Sequence, residues 1–289
     1  MNSINLENTY TSLPQEFFKY TEAETMPDIK LIKINEQLSD LLDIDVSFLT
    51  SQTGLRFLSG KNTENLPGSI SLAYAGHQFG HLVPQLGDGR AVLLGDKICK
   101  DGVRRDIQLK GSGKTYFSRG GDGRAGIGPV IREYLISESM HRLGVPTTRS
   151  LAVLLTGEKV VREEVTPGAM LARVATSHVR VGTFEFFALR NQKENIRKLA
   201  DFMIERSHPD LSGKKKKYEL FFERIVSGQA SLVAQWNSIG FIHGVMNTDN
   251  TSISYETIDY GPCAFMDSYQ ANKVFSSIDQ FGRYAFSNQ

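Results

Sequence analysis

The chain has 289 residues, a formal net charge of +1, 40% hydrophobic and 22% charged residues, and two cysteines. That length supports one large domain or two lobes with a core, and the near-neutral charge gives no field to steer the chain to nucleic acid or a membrane surface. No apolar run approaches the ~18 residues of a membrane span, and Cys99 and Cys263 are too few for a disulfide framework, which suits a reducing compartment. The opening MNSINLENTYTSLPQEFF lacks the pattern of a secretory signal or a mitochondrial presequence, so a cytoplasmic, bacterial protein is the expectation.

Residues 1–80 are weakly patterned and read as an N-terminal extension. Within them Ile32–Ile44 has helical spacing, with Leu38, Leu41 and Leu42 on one face. From Leu82 to Lys110 the segments LVPQL, AVLLG and DIQLKG, separated by GDGR and KDGV, predict an antiparallel meander. A Gly-rich stretch follows, Gly111 to Gly128. The helix predicted next, GPVIREYLISESMHRLG, has Pro129 in its first turn and Gly144 at its end, with Val130, Ile131, Tyr134, Leu135 and Leu143 in one stripe. SLAVLLTG and EKVVREEV read as a hairpin, and AMLARVATSHVRVGTFEFF as an apolar strand passing into a connector. From Lys193 the pattern turns helical: KENIRKLADFMIERSH and YELFFERIVSGQASLVAQWNSIG are amphipathic, and the lysine run Ser212–Lys217 between them reads as a solvated loop. A sheet with one helix, then mostly helices, is an α+β order with two unequal lobes, 81–182 and 183–289. A cleft between lobes is a common place for a ligand.

The string GDGRA occurs twice, at Gly87–Ala91 and Gly121–Ala125, with unlike flanks. In the first, Gly87 and Gly89 are expected in a hairpin turn without side chains, so that backbone amides can approach phosphate, and Arg90 adds a planar donor. The second precedes a predicted helix N-terminus, a favourable place for an anion. Two donor-rich loops facing one polyphosphate would account for the repeat. KGSGKT (Lys110–Thr115) is not a Walker-type loop, because Gln108 stands where the first glycine is needed. GHQFGH places His77 and His81 at i, i+4 without the Glu of H-E-x-x-H, and a turn is expected there rather than a zinc site.

In FIHGVMNTDNTSISYETIDYGPCAFMD, His243-Gly244 and Asn250 have the spacing of a kinase catalytic loop, whose Asn binds a divalent metal. Asp259-Tyr260-Gly261 begins nine residues after Asn250 and resembles D-F-G, whose Asp also holds the metal. An amide oxygen and a carboxylate are hard ligands that suit Mg²⁺. The usual base position, two residues after His243, holds Val245. Asp249 is the nearby carboxylate able to take that role; a turn-capping Asp is the alternative. Lys110 ends the strand DIQLK as the lysine of V-A-I-K does. Glu133 on the following helix is placed to pair with it, and Glu138 competes. Arg173 and Arg180 stand in an apolar stretch near the lobe junction, where a phosphate would account for them.

YAGHQFGHLVPQLGDGRAVLLGD, DIQLKGSGKTYFSRGGDGRA, IREYLISESMHRLGVPTTRSLAV, ATSHVRVGTFEFF, HGVMNTDNTSISYETIDYGPCAFMD and FGRYAFSNQ closely resemble the selenoprotein O family (YdiU-type proteins) over most of residues 70–289. The resemblance implies a protein-kinase-like two-lobe fold without the usual base. It implies ATP bound end for end relative to kinases, and transfer of AMP to Ser, Thr or Tyr hydroxyls of proteins with release of pyrophosphate. By the same resemblance Gly87, Gly89, Arg90, Lys110, Asp122, Gly123, Arg173 and Arg180 are ATP-binding positions, with Glu133 the partner of Lys110. Asp249 is then the proton acceptor, and Asn250 and Asp259 are ligands of Mg²⁺ or Mn²⁺, with Asp259 also near ATP. Thr251 replaces the family's frequent Met. In the flipped pose cations clamp the β- and γ-phosphates, and the α-phosphate lies by Asn250 and Asp259. Family members continue past FGRYAFSNQ with further helices and a Cys or selenocysteine near the C-terminus, so the helical lobe is expected to be incomplete at its C-terminal end. Cys263 matches a Cys of some members that would face that distal residue. Two rival readings stay open: a phosphotransferase using the γ-phosphate, against which Val245 argues, and a non-catalytic nucleotide-binding protein.

Overall fold

The computed structural model describes residues 4–61 and 68–289; residues 1–3 and 62–67, parts of the stretch expected as an extension, lie outside the described residues. In chain order come β1 (Phe18–Tyr20), β2 (Lys30–Ile34), α1 (Glu36–Leu41), α2 (Val46–Thr50), α3 (Gln52–Leu58), β3 (Ile70–Leu72), β4 (Gly76–Gln78), β5 (His81–Val83), β6 (Ala91–Ile98) and β7 (Arg104–Lys110). There follow β8 (Ala125–Gly126), α4 (Ile127–Arg142), β9 (Arg149–Val161), β10 (Val165–Ala175), α5 (Val181–Ala188), α6 (Lys193–Ser207), α7 (Lys217–Ser238), β11 (Phe241–Ile242) and β12 (Ala264–Phe265). The chain divides into two units. One comprises Met1–Ala73, Leu86–Glu138 and Thr148–Thr176; the other comprises Tyr74–Gln85, Ser139–Thr147 and Ser177–Gln289.

The first unit is an antiparallel sheet in the order β1-β3-β6-β7-β10-β9-β2, with β8 added beside β10. Side chains alternate between its faces. On β7, Ile107 and Leu109 enter a core with Leu94, Leu154, Ala172 and Val174, covered by Leu38, Leu42, Leu49 and Phe57 from the α1–α3 region. Gln108 and Lys110 therefore take the opposite face. There Val130 of α4 packs against Val153, Ala169 and Leu171.

Several expectations need correction. The N-terminal stretch is not a separate extension: Glu7 pairs with Asp96 of β6, and α1–α3 cover one face of the sheet. The helix expected over Ile32–Ile44 begins only at Glu36. Asn35 caps it by accepting from Leu38 N at 3.1 Å, and the residues before it pair with β9. LVPQL is not a strand of the meander, since His81–Val83 pairs with β4 in the second unit while β6 lies between β3 and β7. Gly87–Arg90 is thus a loop entering β6, not a hairpin turn. SLAVLLTG and EKVVREEV do not fold on each other; β9 runs through Gly157, and its partner is β10, after a turn at Arg162–Glu164. On α4 the buried positions are Val130, Glu133, Ser137 and Met140, while Ile131, Leu135 and, just past its end, Leu143 are exposed. The helix turns its polar Glu133 to the sheet because two cations of the sheet face await it. The expected connector after β10 contains α5.

The second unit holds α5, α6 and α7 with two small antiparallel pairs, β4–β5 and β11–β12. Pairing of Phe241 with Phe265 and Ile242 with Ala264 closes a long loop from His243 to Cys263. The lysine run is a surface feature, with Lys214, Lys216 and Lys217 paired with Asp210, Glu219 and Asp201. Among the described residues no helix is long and apolar enough to cross a membrane.

Candidate active site

In the first unit, β7 and β10 set Gln108 and Arg173 opposite each other in register, with Lys110 two residues along the same face. Glu133 of α4 joins them. Its Oε2 accepts from Lys110 Nζ at 2.6 Å and its Oε1 from Arg173 Nη1 at 3.2 Å. Arg173 Nε donates to Gln108 Oε1 at 2.8 Å, and Gln108 Nε2 donates to Asp88 Oδ2 at 2.9 Å. Asp88 Oδ2 also accepts from Leu72 N at 3.1 Å. All five side chains belong to buried residues. The result is a continuous polar chain from the first GDGRA loop to the strand lysine. The competitor for Lys110, Glu138, is taken by Arg149 through two bonds of 2.8 and 2.7 Å, which hold its carboxyl below the usual range against the opposing effect of burial.

The Gly-rich segments pack on one another in the same unit. A Cβ at Gly87 would lie 2.3 Å from the Phe117 ring, and one at Gly89 would lie 2.9 Å from Phe117 O. Thr115 Oγ1 donates to Asp88 O at 2.6 Å and Ser118 Oγ to Gly89 O at 2.5 Å. The amides of Asp88 and Gly89 donate to Leu72 O and Gly87 O, and Arg90 beside them is exposed. Gly123 has φ +69, and a Cβ there would lie 2.0 Å from Gly113 O, so only glycine admits this contact. Asp122, next to it, is exposed. Arg162 grips it with bonds of 2.7 and 2.8 Å, which hold its carboxyl at about 2.

In the second unit, backbone pairing of 179–181 with 251–253 sets Arg180 beside the His243–Cys263 loop. Arg180 Nη1 donates to Asp249 O at 2.6 Å and to Asp259 Oδ2 at 3.1 Å, and its guanidinium stacks on Tyr74, 4.4 Å from the ring centroid. One cation thereby gathers the two acidic positions. Asp259 adopts φ +64, a left-handed conformation rare outside glycine and often found where a site demands it. Asp249 is buried. Its Oδ2 accepts from Gln78 Nε2 at 3.0 Å. Burial raises the Asp249 carboxyl above the usual value, opposed by Arg180 and the Gln78 bond, and such a carboxylate is a stronger proton acceptor.

Asn250 Nδ2 donates to Val245 O at 3.0 Å, so its carbonyl Oδ1 is the end left for a cation. This amide oxygen and the Asp259 carboxylate are hard oxygen donors, which fit Mg²⁺ or Mn²⁺ when phosphate and water complete the shell. No cluster of three or more His, Cys, Asp or Glu suited to a metal occurs among the described residues. His77 and His81 lie on paired strands, with His77 opposite Leu82 and Gln78 opposite His81, across a turn at Phe79 and Gly80.

His243 braces the loop from inside. It stacks on Trp236 at 5.3 Å, its Nε2 bonds Ile258 O at 2.8 Å, and its Nδ1 accepts from Val245 N at 3.4 Å. These partners require the neutral Nε2–H tautomer. Burial lowers its protonation range below the ordinary 6.5. The folded chain then binds fewer protons than the unfolded chain just below pH 6.5, so this contribution to stability is complete above that value and is lost as pH falls through the folded range. Urea denaturation is expected to give lower stability at pH 5 than at pH 7.5. The His243→Gln variant is expected to lose that part of the pH dependence.

Asp88, Gln78 and Tyr74 were not singled out in the sequence, and Gln108 only as the residue that breaks the Walker pattern. Gln108 was within reach, two residues from Lys110 in an alternating strand; Gln78 and Tyr74 had no local signal.

A strand lysine paired with a helix glutamate, and a loop bearing Asp249-Asn250 and Asp259, in an α+β chain with an antiparallel sheet, are compatible with a kinase-like fold. Residues 1–289 match the family described as protein adenylyltransferase SelO, and the chain belongs to the SelO family. It is 57% identical over 283 residues to the protein nucleotidyltransferase YdiU of Bradyrhizobium sp. (strain ORS 278), which covers 98% of this chain and 58% of that protein. It is 58% identical over 288 residues to the protein of the same name from Nitrobacter hamburgensis, covering 99% of this chain and 57% of the relative. A Rhodopseudomonas palustris relative, also so named, is 56% identical over 283 residues. The chain spans somewhat more than half the length of these curated relatives.

Proposed function

We propose that this chain carries the AMP-transferring machinery of a protein adenylyltransferase, acting on Ser, Thr or Tyr hydroxyls of proteins with ATP bound in the flipped orientation. The observation that carries the reading is the position of Asp249: buried, beside Asn250, gathered with Asp259 by Arg180, while Val245 stands where a kinase keeps its base. The names of the relatives, protein nucleotidyltransferases, point the same way.

In the first unit, Lys110 and Arg173 supply positive charge, with Glu133 holding both, and Arg90, Gly87, Gly89, Asp122 and Gly123 line the glycine loops assigned to the nucleotide. In the second, Arg180 supplies a cation, and Asn250 and Asp259 would hold Mg²⁺ or Mn²⁺, which when bound neutralises phosphate charge. Asp249 accepts the proton of the incoming hydroxyl. The hydroxyl oxygen bonds to the α-phosphorus, the bond from that phosphorus to the α–β bridging oxygen breaks, and pyrophosphate leaves.

The test is to incubate the chain with Mg²⁺ or Mn²⁺ and ATP labelled at either the α- or the γ-phosphate. Protein-bound label is expected from the α position only. Label from γ only would make it a phosphotransferase, and label from neither would make it a nucleotide-binding protein without transfer.

A further inference from the structure

We infer that Gln78 is the positioning residue of Asp249: it occupies one carboxylate oxygen, Oδ2, and so makes Oδ1 the atom that receives the proton of the acceptor hydroxyl. The inference rests on the reading of Asp249 as the base and adds a residue and an atom to it.

A free carboxylate can rotate and present either oxygen. Here the two differ. Oδ2 accepts from Gln78 Nε2 at 3.0 Å, whereas Oδ1 is buried and takes no hydrogen bond from another described residue. A buried acceptor without a partner is costly and calls for an explanation. An incoming hydroxyl would satisfy this one.

Gln78 is the last residue of β4, and a hairpin of two three-residue strands is marginal by itself. This one is tied to the loop that carries Asp249. His77 N donates to Thr248 Oγ1 at 2.8 Å, and that hydroxyl donates to Glu185 Oε2 at 2.5 Å. Phe79 N donates to Tyr284 Oη at 3.2 Å, and Tyr284 donates to Asn247 Oδ1 at 2.5 Å. The Phe79 and Tyr284 rings meet edge to face at 5.4 Å. At the base of the hairpin, Ala75 N donates to Gly182 O at 2.9 Å, an approach that a Cβ on Gly182 would block at 2.2 Å from Ala75 O. Residues on both sides of Gln78 therefore bind, directly or through Tyr284, the two residues before Asp249, and the amide is held where the carboxylate is. The Gln78 Nε2 is a donor only, so it cannot take the proton itself; it orients the group that does.

The test compares Gln78→Ala, Gln78→Glu and Asp249→Ala in AMP transfer. Gln78→Ala is expected to lower kcat by about 10–10²-fold, the cost of a misplaced reacting group, with KM for ATP and Tm little changed. Gln78→Glu, which sets a carboxylate against Asp249, is expected to fall at least as far. Adding Gln78→Ala to Asp249→Ala is expected to cost nothing further, because the two act as one unit. Full-rate transfer by Gln78→Ala beside a dead Asp249→Ala would overturn the positioning role alone. Full-rate transfer by Asp249→Ala would overturn the base instead. A raised KM for ATP at unchanged kcat would make Gln78 a nucleotide contact and overturn the inference. An independent readout needs no turnover: the side-chain amide resonances of Gln78 should move in Asp249→Ala, and unmoved resonances would sink the inference even if the chain transferred nothing.

Discussion

Asp249→Ala is expected to reduce AMP transfer by about 10²–10⁴-fold, the usual share of a positioned acid or base, with ATP binding retained. The carboxylate does not belong to the phosphate-gripping set. Its Oδ2 is bound by Gln78, and its backbone carbonyl accepts from Arg180. Removing the side chain leaves Arg180 its bonds to Asp249 O and Asp259, so the arrangement around Asp259 keeps its frame. Transfer rates at saturating ATP, with nucleotide affinity measured by calorimetry, check both parts. A loss of affinity as large as the loss of rate would mean that Asp249 serves the nucleotide and not the proton.

Glu133→Ala is expected to destabilise the chain by about 3–5 kcal/mol, the cost of breaking a buried charge pair by removing one partner. The size follows from the geometry. Lys110 and Arg173 both direct cations at the same carboxylate, at 2.6 and 3.2 Å, and the side chains are 10% and 3% exposed, so water cannot replace it. Asp122→Ala offers the contrast. Its partner Arg162 is half in solvent, and pairs of that kind contribute about 0–1 kcal/mol. Urea denaturation of the two variants side by side measures the difference. Equal losses would mean that the Lys110–Glu133–Arg173 cluster is not closed to water.

Parts of this site could be read directly from residue order. Lys110 ends a strand, and Glu133 lies on the helix that follows, so one strand and one helix suffice to bring them together; Glu138, one turn and a residue further, faces Arg149 instead. Asp249, Asn250 and Asp259 fall within a single loop, and their types and order already suggested a base and metal ligands. Arg180 was noticed as a cation in an apolar stretch, but its bridging of Asp249 O and Asp259 depends on pairing between 179–181 and 251–253. The strands were legible by alternation, yet the neighbours of LVPQL were not, because a three-residue strand pairs wherever packing offers a partner.

The repeated GDGRA separates the two levels. Both copies are glycine loops, yet positive φ falls on Gly87, the first residue of one copy, and on Gly123, the third residue of the other. Their aspartates diverge. Asp88 is buried and joined through Gln108 to Arg173, whereas Asp122 is exposed and held by Arg162. Five residues make a glycine-rich loop in both places and do not decide which glycine takes the left-handed conformation or what will cover it. Similarly, Gln78 reaches Asp249 across 171 positions of sequence. Residue type, spacing and strand period settled which groups could do chemistry here. Burial and hydrogen-bond partnership decided how each one is held, and those belong to packing between distant segments, which no short stretch of chain contains.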